Sequence, residues 1–382
     1  MQLLLQSGAS PDPGKAEFRR ELWRRAPGEY NWHERKTYFR NQPESVRMKL
    51  RVAITGSSGY LGRQLMSQLA TDSDCEFLLG MDIRRREFEL PCPAEFLRFD
   101  LTAPWELLAE FWTKRRINAA VHLAWQFNPL HDRRRHREID IQGSLNFLRA
   151  ATAAGMKRVV YCGSTTAYVN PRNPDREPWL SEKTKPTGTP NYLYSSHKAE
   201  IDRVVQDFQE QHPEVQVVLL RGAIVLGPHT QNIVSRMLDW PWRWFPAMFQ
   251  VRGSDPPLQF LSERDMTSIL LRAVKCQAGG IFNCAGDGTL KYSEVVHASG
   301  KWSWLIPARI IYPLTDLLWK LHLSPFPAGI LDLIRYPWVA DTSRLKAVFG
   351  YLPQDTSREA LHVFLEARRQ RSRIRPTEEF QS

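Results

Sequence analysis

Glycine recurs at three-residue intervals, as Gly56, Gly59 and Gly62, in the stretch LRVAITGSSGYLG that begins at Leu50. A strand-length apolar run precedes these glycines and an amphipathic stretch, YLGRQLMSQLA, follows, so bare backbone falls where a strand hands over to a helix. Few folds ask for that. From Leu50 onward, the apolar runs RVAIT, EFLLGMD, EFLRFD, AAVHLA, RVVYCGS and VQVVLLRGAIV alternate with helical stretches. They are the buried runs of a parallel sheet covered on both faces. The pattern predicts an α/β fold, a Rossmann-type doubly wound parallel sheet with right-handed crossovers, whose ligands sit at the carboxyl ends of the strands.

The alternation holds over residues 50–228 and then decays. MLDWPWRWFPAMF and the segment from Trp302 to Trp338 are rich in Trp and Pro. Residues 229–365 are therefore read as a smaller, mostly C-terminal substrate lobe, interleaved with the last strands and helices of the nucleotide domain. Residues 1–49 lack sustained periodicity and read as a basic, partly disordered arm, and 366–382 as a basic tail carrying Arg368, Arg369, Arg371, Arg373 and Arg375. The net charge of +11 is concentrated in these segments and in Arg133 to Arg137, which read as solvated faces and not as a nucleic-acid module. Five scattered cysteines without CxxC spacing suit a reducing cytoplasm and offer no metal site. The opening MQLLLQSGAS lacks the basic region of a secretory signal, and no run of 18 apolar residues is present to span a bilayer.

A dinucleotide pyrophosphate docked on a helix N-terminus needs exposed N–H groups, a tight turn and close helix-strand packing, each of which a Cβ obstructs. Asp82 follows Gly62 by twenty residues, at the end of the second apolar run. A carboxylate there can hold both adenosine-ribose hydroxyls and repels a 2′-phosphate, which favours NAD over NADP. Arg84, Arg85 and Arg86 pull the other way if they turn inward.

TGxxGxxG at the first strand, Asp100-Leu101 after the third, HLA (His122 to Ala124) at the fourth, YCGSTTAY at the fifth and YxxxK from Tyr194 to Lys198 occur in that order. Together they resemble the extended short-chain dehydrogenase/reductase family, in particular its NAD-dependent epimerase/dehydratase branch, over about Leu50 to Leu365. Carried onto this chain, the family's cofactor contacts fall on Gly56, Ser58, Gly59, Tyr60, Leu61, Gly62, Asp82, Ile83, Asp100, Leu101, Leu123 and Ala124, with Tyr194 and Lys198 reaching the cofactor as well.

Hydride transfer at a carbinol carbon needs a group to exchange the hydroxyl proton. Tyr194 and Lys198, four apart, share one helix face, and the ammonium is expected to lower the phenol's pKa. The resemblance implies Ser164 as the partner of the substrate oxygen, with Thr165 as substitute, and Tyr168 lining the substrate pocket. The dehydratases' Asp-Glu pair is absent from STTAY, which disfavours dehydration. Asp140 stands where the family has asparagine, leaving a water or backbone contact in doubt. Gly143 and Asn146 of the same helix match the family. His122 is read either as ligand-facing or as a satisfied core histidine. Arg221, Gly227 and Pro228 match the strand leading to the substrate lobe, and Asp265 and Asn283 read as structural.

The resemblance implies an NAD(P)-dependent oxidoreductase or epimerase acting on a secondary alcohol, first of a nucleotide-sugar-like substrate, as in UDP-sugar 4-epimerases. A dehydrogenase or ketone reductase of a sterol-like or other apolar alcohol is the alternative, since Trp240, Trp242, Trp244, Trp302, Trp304, Trp319 and Trp338 can enclose an apolar body or dip into a membrane interface. A non-catalytic dinucleotide binder is the reading of a different class. The expected partners are a small-molecule substrate, no nucleic acid, a peripheral membrane contact if the tryptophans face lipid, and a homodimer if the chain pairs as its relatives do. Specificity is expected from Arg172 to Thr189 and from Thr230 to Pro257.

Overall fold

The computed structural model describes residues 49–84, 90–173, 179–230, 232, 237 and 246–374. The arm up to residue 48, Arg85 and Arg86, residues 174–178 of the first specificity stretch, most of 231–245 with Trp240, Trp242 and Trp244, and the tail beyond 374 lie outside the described residues.

The strand-length runs form β1 (Leu50–Thr55), β2 (Cys75–Asp82), β3 (Ala94–Arg98), β4 (Ala119–His122), β5 (Arg158–Ser164) and β6 (Gln216–Gly222). With β11 (Gly280–Cys284) they make a seven-stranded sheet in the order β11-β6-β5-β4-β1-β2-β3, every pair parallel. Successive side chains alternate faces. In β5, Val160 enters the core on one side of the sheet and Val159 the core on the other. The first core is covered by α1 (Tyr60–Ala70) and α6 (Glu263–Lys275), through residues such as Leu65 and Ile269. The second is covered by α2 (Trp105–Lys114), α4 (Gly143–Ala153) and α5 (Leu193–Gln211), through Trp112, Phe147 and Ile201. Strand order reverses between β1 and β4, which opens a crevice at their carboxyl ends.

The run VQVVLLRGAIV, read as one strand, is two. The sheet keeps β6, whose last tie to it is the Ala223 amide donating to the Cys284 carbonyl of β11 at 2.8 Å. β7 (Ile224–Leu226) then pairs with β10 (Phe260–Ser262). Beyond it, β8 (Ala247–Val251) pairs with β13 (Trp302–Ile306), and β9 (Pro257–Leu258) with β12 (Leu290–Lys291). α7 (Tyr292–Ala298), α8 (Ala308–Lys320), a 3-10 turn at Ala328–Ile334 and α9 (Ser357–Ile374) complete a third core around Phe260, Ile330 and Phe364.

Two features fix the crevice walls. A short helix, α3 (Arg133–Arg137), is capped by the Asp132 carboxylate, which accepts from the Arg134 and Arg135 amides, and it widens into a π turn at Glu138–Gln142 before α4. Such turns re-aim side chains; here the residue carried inward is Asp140, buried to 1% exposure. On the other wall the Arg221 guanidinium, fully buried, forms paired 2.7 Å bonds to Asp202 of α5 and donates to the Tyr168 hydroxyl and the Glu182 carbonyl. Every donor and carboxylate oxygen of that pair has a partner, which is the condition for burying charge.

Candidate active site

At the strand-to-helix turn, Gly56 adopts φ +73°, and a Cβ on it would lie 2.6 Å from the Ala124 amide nitrogen. A Cβ on Gly62 would collide with the Gly56 carbonyl. Side chains are therefore excluded by backbone that cannot yield. Gly59 caps α1 without a side-chain hydrogen bond, and the first turn of the helix holds no acidic residue. Its leading amides and the positive end of the helix dipole are left for an anion. Asp82 closes the turn from β2: its carboxylate accepts from the Ser58 amide and the Arg84 amide, both at 3.1 Å, while the Ser58 hydroxyl donates to the Arg84 carbonyl. The residues fit a dinucleotide, with Asp82 setting a negative charge where a 2′-phosphate would need a positive one. Ile83 is exposed beside it.

Asp100 turns its carboxylate to Thr102 and to the Arg135 guanidinium, 3.0 Å away. The Leu101 carbonyl accepts from Asn146. Both stay at the edge of the sheet, apart from the cleft described next.

Tyr60, Leu61, Leu123 and Ala124 from the nucleotide side line one cleft together with Ser164, Tyr194 and Lys198. Ser164 ends β5, and its hydroxyl accepts from the Thr166 amide (3.2 Å) and hydroxyl (2.9 Å). The Tyr194 phenol is hydrogen-bonded to Ser164, yet burial outweighs that bond and raises its pKa. Lys198 Nζ donates to the Cys162 carbonyl at 2.8 Å and lies 3.6 Å from the centre of the Trp125 ring. Burial depresses the ammonium to about 8, against the opposing pull of Cys162, Asp140 and Asp202. The expectation that Lys198 lowers the phenol's pKa is thus corrected for this state: its Nζ stands 5.9 Å from the Tyr194 ring centre and is committed to a carbonyl and an indole.

Asp140 resolves the doubt over its position. Oδ1 accepts from the Gln126 amide at 3.0 Å, so a backbone contact is kept, and Oδ2 lies 2.9 Å from His197 Nδ1 and 3.2 Å from His136 Nε2. Burial works to raise the Asp140 pKa, but these contacts outweigh it and hold the carboxyl below its usual range. The Asp140 carboxylate so held is close enough to act on Lys198.

His122 is a buried, satisfied histidine that also lines the cleft. Nδ1 meets the Thr55 hydroxyl at 2.8 Å, Nε2 meets Ser144 at 3.2 Å, and the ring packs on Phe147 and Tyr161. Burial and then Lys198 hold its pKa down to about 3, so the ring is neutral. Two expectations fail. Tyr168 does not line the pocket; its hydroxyl is spent on Arg221, Asn283 and Ser181, inside the core. Thr165 is no substitute for Ser164, because its hydroxyl turns to the Gly222 carbonyl, and Thr166 faces the cleft instead. Asp265 and Asn283 act structurally, tying down Tyr351 with Gln354, and Leu180 with Asp341. Trp125 and His197 went unread in the sequence, although one follows HLA directly and the other sits inside YSSHK.

Across the cleft from the nucleotide turn, the wall is Met248, Leu258, Phe260, Tyr292, Val295, Leu333, Ile334 and Trp338, all of the third core. Among the described lining residues, Lys198 is the sole formally charged side chain.

This architecture and turn define a dinucleotide-dependent enzyme of the extended short-chain dehydrogenase/reductase type. Residues 52–285 match the model of the NAD dependent epimerase/dehydratase family, and the chain belongs to that family, with NAD as its cofactor. An uncharacterized protein of Mycobacterium tuberculosis (strain ATCC 25618 / H37Rv) is 25% identical over 324 residues, covering 83% of this chain and 84% of its own. A UDP-glucose 4-epimerase of Neisseria meningitidis serogroup C is 22% identical over 54% of this chain and 62% of its own. Among solved structures, MoeE5 in complex with UDP-glucuronic acid and NAD superposes with a TM-score of 0.64 at 19% identity, over 84% of this chain and 99% of that one. The UDP-glucose 4-epimerase of Thermotoga maritima gives 0.64 at 16% identity, over 85% and 100%.

Proposed function

We propose that the protein interconverts a secondary alcohol and its ketone on a substrate with an apolar body. The carrying observation is that Ser164, Tyr194 and Lys198 sit together at the base of a cleft whose far wall, among the described residues, is apolar. NAD⁺, when bound, supplies the hydride acceptor. Ser164 holds the substrate oxygen through a hydroxyl already oriented by Thr166. Tyr194 takes the hydroxyl proton. Burial disfavours its phenolate, so the chemistry needs a compensating cation, and Lys198 is the one available: to serve, its ammonium leaves the Cys162 carbonyl and turns toward the phenol. Asp140 offsets part of the cost of keeping that charge buried.

A diphosphate-bearing substrate brings charges that call for arginine or lysine, and the apolar wall therefore supports the apolar alcohol over the nucleotide sugar. The second reading, reversible oxidation within a nucleotide-sugar epimerase, is supported by the likeness to the two UDP-glucose 4-epimerases. Incubation with NAD⁺ and a panel of secondary alcohols tests both. Stoichiometric NADH from cyclic or long-chain apolar alcohols is expected. Epimerisation of UDP-glucose without net NADH, together with no oxidation of apolar alcohols, would overturn the reading.

A further inference from the structure

Helix α8 is amphipathic, and its apolar side faces out. Ile311 and Thr315 are buried, whereas Ile310, Leu314, Leu317 and Leu321, three or four residues apart, are all exposed, Leu317 to 54% and Leu321 to 57%. A surface helix ordinarily turns that stripe to the core. The chain enters α8 directly from β13, where Trp302 and Trp304 are about half exposed. Exposed contiguous apolar surface of this kind marks an interaction site.

Two observations say what covers it. First, α8 roofs a second apolar cavity, reached by Thr315 from above, that shares Met248, Tyr292 and Ile334 with the substrate cleft. The cavity under the helix thus adjoins the substrate cleft. Second, the apolar stripe is flanked by exposed Arg309 and Lys320 against the helix's single acid, Asp316, which pairs with Lys320 at 2.7 Å, so the helix itself carries a net positive charge. That is the balance an anionic headgroup layer attracts. Among the described residues no helix is long and apolar enough to cross a membrane, so the element suits lying on a surface.

We infer that α8 and the adjoining tryptophans of β13 dock the enzyme on an anionic lipid surface, from which an apolar alcohol enters the cleft. The docking stands on the helix and its charges alone; the entry route rests on the proposed substrate class. The Tyr312 hydroxyl of α8 donates to Asp332, which also takes the Thr189 hydroxyl just ahead of the Tyr194 helix, so the docked element is hydrogen-bonded to the catalytic segment.

The test is co-sedimentation of the full chain with vesicles of equal parts phosphatidylcholine and phosphatidylglycerol, and with phosphatidylcholine alone. The wild type should pellet with the mixed vesicles and less with the neutral ones. Leu314→Glu/Leu317→Glu should lower partitioning on the order of tenfold or more, with turnover of a water-soluble secondary alcohol and the thermal midpoint unchanged. Equal pelleting of the double variant would overturn the inference and assign the contact to the basic arm. So would absence of wild-type pelleting, or a dimer in light scattering that the double variant dissociates without any vesicle binding. If no alcohol is oxidised but pelleting still depends on Leu314 and Leu317, the docking stands and the proposed reaction falls.

Discussion

The two walls of the cleft are built from different material. The nucleotide wall is backbone: the ends of β1, β2 and β4, the glycine turn and the uncapped start of α1, with side chains removed where the ligand must come close. The substrate wall is side chain: Met248, Leu258, Tyr292, Val295 and Ile334, gathered from short strands, a helix and a 3-10 turn. A backbone wall recognises what all its ligands share, and a side-chain wall can be repainted residue by residue. The difference explains how one frame keeps its cofactor while changing substrates.

The comparison breaks most severely at the seam, where the two walls meet the chemistry. Tyr194→Phe should lower kcat by about 10²–10⁴-fold while leaving NAD affinity intact, because it deletes a proton carrier and no part of the turn; titration calorimetry beside steady-state kinetics reads both. On the nucleotide wall, Gly62→Ala should weaken NAD binding about ten- to hundredfold, since roughly 1–3 kcal/mol of backbone strain must be absorbed where a Cβ meets the Gly56 carbonyl. Apolar-ligand binding to the far wall should not change.

Lys198→Met tests the cost of the charge between the walls. Lys198 has a folded pKa of about 8 against an ordinary value of 10.5, so the unfolded chain binds the proton more tightly and the folded state is penalised below pH 8. The penalty fades as pH rises from about 8 toward 10.5. The variant should therefore be inactive yet more stable at pH 7, by about 1–3 kcal/mol, and its advantage in thermal midpoint should shrink at pH 10. The smallest effect belongs to the substrate wall. Val295→Thr, nearly equal in shape, should raise KM for an apolar alcohol a few-fold, by roughly 1 kcal/mol for one unpaired hydroxyl, with NAD affinity unchanged.

What was legible followed from periodicity and from motifs with a mechanism. Continuous apolar runs alternating with helical stretches made β1 to β6 readable, and the strand-turn-helix context made Gly56, Gly59 and Gly62 readable. Tyr194, Lys198 and Ser164 were found because spacing on a helix and position at a strand end are local. Tyr168 was misplaced for a nonlocal reason: its hydroxyl is claimed by Arg221, 53 residues on, and that contact decides which way the ring turns. The break after Ala223 was hidden likewise, because the strand that takes the chain away from the sheet is β10, which pairs Phe260 with Ile224. The pairing of Asp140 with His136 and His197 needed the π turn, whose extra residue shifts the phase of the helix. The substrate wall was illegible because strands of two or three residues carry no period.

By itself the sequence determined the parallel sheet, the glycine turn and the spacing that sets Tyr194 and Lys198 on one helix, because each depends on residues a few positions apart whose geometry the backbone dictates. Only the tertiary structure decided how far burial drives Lys198 and Tyr194 from their ordinary pKa values, which hydroxyls face the cleft, and that its far wall is apolar with an outward-facing helix beside it. Those properties are sums over neighbours brought together from distant parts of the chain, and folding alone fixes who the neighbours are.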